Sequence, residues 1–386
     1  MGRTTGHPKG TCRAASLLVL FGCGSVMAPV AGTGFETLVA QTTIDLSELE
    51  SCDGCELPLE EVVRLGSPAG PGMIGEEWTR ATWHRDLGYL VFAGAALRLF
   101  DPDGGFVKTI GREGEGPGEF RWIGDVQVAQ DRIAVLDSRT HTWSLYDEDG
   151  SFVGRNTYPG DMGMGRFVVA GVDTVVFAAW ERRNHDAVGL PLHLTTLSAG
   201  STVAHFGSES SEYIPDEPYG SYAVLSTLSR PGTVWWGRVA RPHLEEWSLD
   251  GRHLRTILGA LPWFPEEVAP FKTIPMPTYT RLGYFGVDAL GRLWTLIEIP
   301  DPEWGDIELF RDPEGWLVPQ EDDIRDHQWR DARLDVFDLG NRRHLGHYRW
   351  DGVYPALMVL NDDLAVSSVE LDGEMTPQLV IYKLPT

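Results

Sequence analysis

Basic residues are scarce in this sequence: 32 Lys and Arg stand against 56 Asp and Glu, a formal net charge of −24 at pH 7. Proteins that bind nucleic acid rely on clustered Lys and Arg to displace counterions from phosphates. The charge therefore argues against a nucleic-acid partner. The sequence also lacks any apolar run of about 20 residues, the length that a membrane-spanning helix needs, so no transmembrane segment is predicted.

Cysteine is equally scarce, with four residues in the chain. Cys12 and Cys23 fall in the N-terminal stretch, which leaves Cys52 and Cys55 as a C-x-x-C pair. A haem attachment would need His where Glu56 stands, a zinc site would need a second ligand pair nearby, and a redox pair would need a βαβ context. The pair is predicted to form a small disulfide loop.

The first 31 residues contain three basic residues and no acidic one, followed by an apolar stretch at 14–21 and then by small residues. This order predicts a secretory signal over residues 1–31. Two exits compete: a lipobox-like sequence that ends before Cys23, which would be lipidated, and cleavage after Ala28 or Ala31. The chain is therefore expected to be exported to the periplasm or cell envelope, lipid-anchored or free, as a monomer.

Familiar catalytic motifs are missing as well. Neither G-x-S-x-G nor H-E-x-x-H occurs, and the glycine run at 111–118 lacks the Lys and Ser or Thr of a phosphate loop. The Asp-rich segments 101–104 and 147–150 lack the downstream Glu of a calcium loop and are interpreted as hairpin turns.

What the sequence does have is a repeat, in a chain with 44 Gly and 14 Trp. Each copy consists of an alternating strand, a polar turn with glycine and a second strand, as in residues 97–111 and 143–154. The turn glycines are Gly104, Gly150, Gly200, Gly251 and Gly340. The first three intervals, 46, 50 and 51 residues, fit one four-stranded propeller blade each. The fourth, 89 residues, holds an insertion at about 300–330.

The last repeat contains three strand-like runs, at 356–360, 364–369 and 378–382. Its missing outer strand is predicted to come from residues 61–65, which would join the two ends of the chain in one sheet and remove an open edge. The sequence thus predicts an all-β, six-bladed β-propeller with four-stranded blades over residues 59–386. Residues 32–58 are predicted to be a linker that carries the cysteine loop.

The blade connection at 114–120 reads G-x-G-P-G-x-F and precedes a two-strand unit and the 143–147 strand. This segment resembles an NHL-type repeat and the bacterial exported six-bladed β-propeller proteins with the same linker. The resemblance covers roughly residues 85–155 and implies the propeller fold. Relatives of this shape include ligand-binding scaffolds, lactonase-like hydrolases and a lyase, so it leaves the activity open.

The insertion mixes acidic and aromatic residues, and long loops on rigid scaffolds favour recognition. Aromatic rings among acids can stack on sugars or bind a basic peptide. The predicted contact residues are Trp304, Trp316 and Trp329, with Trp263 from the Pro-rich connection at 260–279. The first hypothesis is therefore a non-catalytic binding module for a protein, peptide or glycan, without a cofactor.

The alternative is a metal-dependent hydrolase or lyase of the lactonase kind, with Ca²⁺ or Zn²⁺ in the central channel. Polar residues near blade-entry positions are His84, Asp125, Glu181, Asn184, His185 and Asp288. These residues do not occupy equivalent positions in the repeats, and the simpler interpretation is that each lies in a solvent-exposed loop. Asp125, His185 and Asp288 are the candidate metal ligands under this hypothesis.

Overall fold

The structure is a computed structural model, and nearly all of its regular structure is β-strand. It describes residues 42–383 except 53, 75–78, 130–131, 159–166, 179–180, 184–185, 189–190, 200–201, 209–222, 227–231, 239–241, 260, 263–279, 289, 302–308, 312–316, 320–329, 351–359, 361–364 and 372–376. Before the first blade lie β1 (Thr42–Asp45), a 3₁₀ turn (Leu46–Glu48) and β2 (Glu60–Leu65).

Blades one and two are four-stranded antiparallel sheets joined by a short connection. Blade one contains β3 (Arg80–His84), β4 (Gly88–Ala93), β5 (Ala96–Phe100) and β6 (Phe106–Ile110). The connection forms two short parallel strands, β7 (Arg112–Glu113) and β8 (Glu119–Phe120). Blade two contains β9 (Ile123–Ala129), β10 (Arg132–Asp137), β11 (Thr142–Asp147) and β12 (Phe152–Thr157).

Blade three carries a small extra hairpin between its second and third strands. In chain order its strands are β13 (Phe167–Gly171), β14 (Thr174–Ala178), the hairpin β15 (Glu181–Arg183) and β16 (Asp186–Val188), β17 (Leu192–Thr196) and β18 (Thr202–Phe206). Blade four contains β19 (Ala223–Leu225), β20 (Thr233–Arg238), β21 (His243–Ser248) and β22 (His253–Leu258).

Blade five has a hairpin insertion at the same place as blade three. Its strands are β23 (Arg281–Val287), β24 (Arg292–Pro300), the hairpin β25 (Leu309–Arg311) and β26 (Leu317–Pro319), β27 (Arg330–Asp338) and β28 (Arg343–Trp350). The last sheet contains β29 (Ala365–Leu371), β30 (Pro377–Lys383) and the N-terminal β2. The predicted innermost strand at 356–360 lies almost entirely outside the described residues.

The N-terminal strand β2 closes the ring as the sequence predicts. It runs antiparallel to β30, and Leu65 pairs with Leu379. Both side chains are fully buried in a cluster that also contains Ala81 and Val91 of blade one. The chain therefore brings its two ends into one sheet, and that sheet packs on the first blade.

The core consists of apolar layers between neighbouring blades. Trp143 of blade two contacts Phe177 of blade three with ring centroids 6.3 Å apart, and both are completely buried. Alternating side chains of a strand point to opposite faces of its sheet, so every blade supplies residues to two layers. Dense Val, Leu, Phe and Trp in short runs serve this arrangement, because inner strands are covered on both faces.

In each four-stranded blade a register shift lies next to the connection between the third and fourth strands, and in blade one this connection is a tight turn. In blade one, Asp101 accepts hydrogen bonds from the backbone N–H groups of Asp103 and Gly105, and Gly104 has a φ of +87°. Glycine adopts this left-handed conformation without steric cost. The register shifts fall at residues 99/100, 145/146, 194/195, 246/247 and 336/337. The Asp-rich segments are hairpin turns.

Residues 42–57, here the N-terminal segment, lie within the predicted linker 32–58 and pair with two of the blades. Strand β1 pairs in parallel with β22 on the outer edge of blade four, and isolated bridges join Glu50 and Glu56 to β28 of blade five. Leu46 and Leu49 are buried in the layer between these two blades. Apolar residues at this spacing give the segment a buried side, so it covers edges that would otherwise be open.

Candidate functional site

The order of strands assigns each connection to one of two faces of the propeller. Neighbouring strands of a blade are antiparallel, as in β9 to β12. The second-to-third connections and the blade-to-blade connections therefore lie on one face, here the connection face. The first-to-second and third-to-fourth turns lie on the other, here the turn face. Both extra hairpins, β15–β16 and β25–β26, consequently belong to the connection face.

The insertion of blade five lies between two long strands. Strands β24 and β27 have nine residues each and pair up to Pro300 and Arg330. Residues 301–329 follow from their ends, and within them Leu309–Arg311 pairs with Leu317–Pro319. The predicted contact residues lie outside the described residues; these are Trp263, Trp304, Trp316 and Trp329.

Asp288, a candidate metal ligand, is engaged in a turn. Its carboxylate accepts hydrogen bonds from the backbone N–H groups of Leu290 and Arg292, the Arg292 side chain and the Trp294 indole, at 2.7–2.9 Å. Arg292 also lies over the Trp294 ring, 5.1 Å from its centroid. These contacts fix the turn between β23 and β24.

Asp125 is buried on the inner strand of blade two. Its carboxylate accepts hydrogen bonds from the Gln127 side chain at 3.1 and 3.2 Å and from the Val126 backbone. His84, on the inner strand of blade one, accepts a hydrogen bond from the Asp86 backbone N–H through Nδ1. His185 and Asn184 lie outside the described residues, and the side chain of Glu181 is not described.

Glu245 in blade four is a buried acid that sequence reasoning missed. Its carboxylate accepts hydrogen bonds from Trp236 and Trp247 Nε1 and from Ser208 Oγ, and it lies 3.0 Å from His243 Nε2. Burial alone would raise the pKa of Glu245, but hydrogen bonds from His243, Trp247 and Ser208 outweigh burial and lower the pKa to about 2. This site joins strands β20 and β21 to the chain that leaves β18.

A second unforeseen group lies on blade five, where Asp335, His344 and His347 bring one ligand atom each within 4.8 Å of one another. His344 Nε2 is 3.0 Å from Asp335 Oδ1, although the two atoms are not aligned as a hydrogen bond. Arg333 donates to both oxygens of Asp335 at 2.9–3.1 Å. Among the described residues this is the one group with the donors of a metal site.

The bulge in blade five explains why these three residues meet. Asp335 is directly opposite His347, whereas the register shift places His344 opposite Phe337. All therefore share one face of the sheet, and the His344 ring stacks on Phe337 with centroids 4.9 Å apart. Residues three apart on a regular strand would point to opposite faces. Sequence reasoning had no means of placing His344 and His347 together without knowing the bulge.

The N-terminal segment covers the edge beside this group. His344 N–H donates to the Glu50 carbonyl, His347 N–H donates to the Cys55 carbonyl, and Leu57 N–H donates to the His347 carbonyl. Cys52 and Cys55, with Cα atoms 5.4 Å apart, are joined by a disulfide in the same stretch.

The charges around His347 act in opposite directions. Burial lowers the pKa of His347, as do the neighbouring Arg333 and His344, while Asp335 and Glu56 act to raise it. The net effect is a pKa below the usual value for histidine, which favours the neutral imidazole near pH 7.

Comparison with known proteins supports the architecture. A model of the DUF5128 family, described as a 6-bladed beta-propeller, matches residues 89–177. A member of the DUF4221 family from Bacteroides vulgatus shares 11% identity and a TM-score of 0.59, over 86% of this chain and 99% of its own. A Bacteroides fragilis protein, named as one predicted to be exported, shares 11% identity and a TM-score of 0.54, over 90% and 99%.

Among curated proteins, none matches the chain. The likeness to the two solved structures concerns the fold alone. The family match and the sheets described above together define the protein as an all-β, six-bladed β-propeller. Within the described residues, no helix has both the length and the apolar character needed to cross a bilayer.

Proposed function

We propose that this propeller is an exported binding module that engages a protein, peptide or glycan on its connection face. The observation that carries the proposal is the position of the two extra hairpins, β15–β16 and β25–β26, which belong to the same face. Elaboration of one face of a rigid scaffold is the usual arrangement for recognition by loops.

The composition of the blade-five insertion supports the same face. Residues 301–329 combine acidic residues with Trp304, Trp316 and Trp329. Aromatic residues are the commonest anchors of protein interfaces, and a surrounding acidic surface favours basic partners. Residue 263, in the connection from blade four to blade five, follows a strand that ends on the same face.

Export and anchoring are part of this proposal. The N-terminal sequence is typical of a secretory signal, and one structural relative is named as a protein predicted to be exported. A disulfide between Cys52 and Cys55 suits an oxidising compartment. Lipidation at Cys23 would hold the propeller at the envelope, whereas cleavage after residue 28 or 31 would release it as a monomer.

The test is site-specific photo-cross-linking in cells that make the protein. A photoreactive phenylalanine analogue is placed at Arg311, an exposed residue of the β25–β26 hairpin, and in a matched variant at Glu148, an exposed turn-face residue. Polypeptide adducts formed from position 311 and not from position 148 would support the proposal. Equal adducts from both positions would contradict it.

Glycan partners need a second arm, because sugars cross-link poorly. The purified chain is applied to an oligosaccharide array, and Trp316→Ala is applied beside it. Binding by the parent that falls at least tenfold in the variant would assign a glycan ligand. If position 311 yields no adduct and the array shows no binding, the connection face is not the functional surface.

A further inference from the structure

The cluster on blade five is not required by the blade fold. The bulge between third and fourth strands recurs in all five four-stranded blades, so each has three positions equivalent to those of Asp335, His344 and His347. In order, these are Arg98, Phe106 and Thr109 in blade one; Ser144, Phe152 and Arg155 in blade two; His193, Thr202 and His205 in blade three; and Glu245, His253 and Thr256 in blade four. Only blade five combines a carboxylate with two imidazoles there.

Blade four also has a histidine, His253, at one of these positions, and its contacts can be compared with those of His344. His253 stacks on Trp247 as His344 stacks on Phe337, with ring centroids 4.9 Å apart in both blades. His253 Nε2 lies 3.0 Å from both the Thr256 hydroxyl and the Arg255 carbonyl. In blade five, the position of this threonine is occupied by His347, whose buried Nδ1 has no hydrogen-bond partner among the described residues.

We propose that Asp335, His344 and His347 bind a divalent transition-metal ion, for which Zn²⁺ is the reference. Two imidazole nitrogens and one carboxylate oxygen suit Zn²⁺ and exclude Ca²⁺ and Mg²⁺, which prefer oxygen ligands throughout. The proposal concerns the outer part of a blade and is independent of the binding face proposed above.

The distances are close to those that zinc needs. Ligand atoms at 2.0–2.1 Å from Zn²⁺ lie roughly 3.4 Å apart in a tetrahedral site. His344 Nε2 and Asp335 Oδ1 are already 3.0 Å apart, and the largest separation in the group is within 4.8 Å. A side-chain rotation of His347 brings in the third donor. The fourth position is left to water or to a carboxylate from outside the group.

Arg333 would support the site indirectly, because it binds the Asp335 carboxylate and not the ion. Ligating carboxylates in metal sites are commonly hydrogen-bonded in turn, which fixes their orientation. The hydrogen bonds from Arg333 Nε and Nη2 to the two oxygens of Asp335 hold its carboxylate in one orientation. Arg333 makes three contacts with the Asp335 carboxylate, which has four lone pairs, so one lone pair stays available for an ion.

The experiment is a ZnCl₂ titration of the EDTA-treated full chain, followed by calorimetry and by the melting temperature. We expect one equivalent of Zn²⁺ to bind and to raise the melting temperature, because an ion bound only by the folded state stabilises it. His347→Gln should weaken binding at least tenfold. His205→Gln, the same position in blade three, is the matched control and should leave the affinity unchanged.

X-ray absorption at the zinc edge distinguishes this site from a site formed by the thiols of Cys12 and Cys23. The measurement uses the parent chain, so it does not depend on whether a variant folds. Nitrogen and oxygen neighbours with an imidazole pattern support the proposal, and sulfur neighbours contradict it. If His347→Gln does not fold, Asp335→Asn replaces it. Equal weakening by the blade-three and blade-five variants, or no stoichiometric binding by the parent, would overturn the assignment.

Discussion

Buried acidic side chains in this propeller serve mainly as acceptors that fix strands and turns. Asp288 accepts four hydrogen bonds at the turn between β23 and β24. Asp137 accepts from the backbone N–H of Thr140 in the turn after β10 and from that of Arg121 in the connection before β9. A buried carboxylate is tolerated only when its oxygens are satisfied in this way. A buried acid in a propeller is therefore a poor indicator of a metal site unless the hydrogen bonds that its oxygens accept are known.

Glu245 provides a prediction at the residue scale. Its pKa is about 2 in the folded protein, below the ordinary value of 4.5, so its stabilising effect is complete above pH 4.5. That effect is lost as the pH falls towards 2. The shift corresponds to about 3 kcal/mol. Chemical denaturation of the parent and of Glu245→Gln should therefore give a difference in unfolding free energy that shrinks by about this amount between pH 6 and pH 2.

The control for this measurement is Glu148→Gln, since Glu148 is exposed in a turn. Its difference from the parent should stay near zero throughout the pH range. His243 Nε2 contacts the Glu245 carboxylate, so His243→Asn is measured in parallel. A difference for Glu245→Gln that does not depend on pH would contradict the low pKa.

At the scale of elements, the N-terminal segment behaves as part of the propeller. It adds a strand to blade four and bridges to blade five, and the chain then continues into β2, the outer strand of the last sheet. Leu46 and Leu49 fill the layer between blades four and five, and Leu57 packs on the opposite side of blade five. The outer strands β22 and β28 are thereby covered along part of their length.

Removal of this segment gives the second prediction. A chain that begins at Leu59 should lose about 3–6 kcal/mol of unfolding free energy relative to one that begins at Ala40, because Leu46 and Leu49 lose their burial. Exposure of the β22 edge should also cause concentration-dependent association. Urea denaturation and light scattering measure the two effects. Identical behaviour of both chains would show that the segment only rests on the blades.

The sequence predicted the repeat and the closing strand because glycine turns and alternating apolar residues are local signals. It did not predict β1, since four residues of ordinary strand character acquire a partner only through β22, more than 200 positions away. It missed the contacts of Asp335, His344 and His347 for a similar reason. Their proximity depends on a bulge, and bulges leave little trace in a residue pattern.

For the whole molecule, closure couples all blades into one ring. Leu65 of β2 packs with Leu379 and Ile381 of β30 and with Tyr89 of blade one. Loss of this contact would open the ring between the last sheet and blade one. Stability is therefore expected to be cooperative, with no blade melting on its own.

Leu65→Ala tests this cooperativity. The substitution removes fully buried apolar volume and should cost about 2–5 kcal/mol. Val62→Ala on the same strand is the matched control, because Val62 is 52% exposed and its loss should cost less than about 0.5 kcal/mol. Circular dichroism and tryptophan fluorescence should report one coincident transition at a lower temperature for Leu65→Ala. Two separated transitions would show that the last sheet melts independently.

The closing strand also sets an order of events during synthesis. Residues 60–65 leave the ribosome early, but their partner strand at 377–383 is made last. At 5–20 residues per second, the first strand waits roughly 15–60 s for the last one. Blades one to three can fold meanwhile from neighbouring strands, whereas Leu65 lacks its β30 partners, Leu379 and Ile381, until translation is almost complete. During synthesis the strand at residues 60–65 therefore lacks its partner strand for most of the time, and this strand is where the new chain most needs a chaperone.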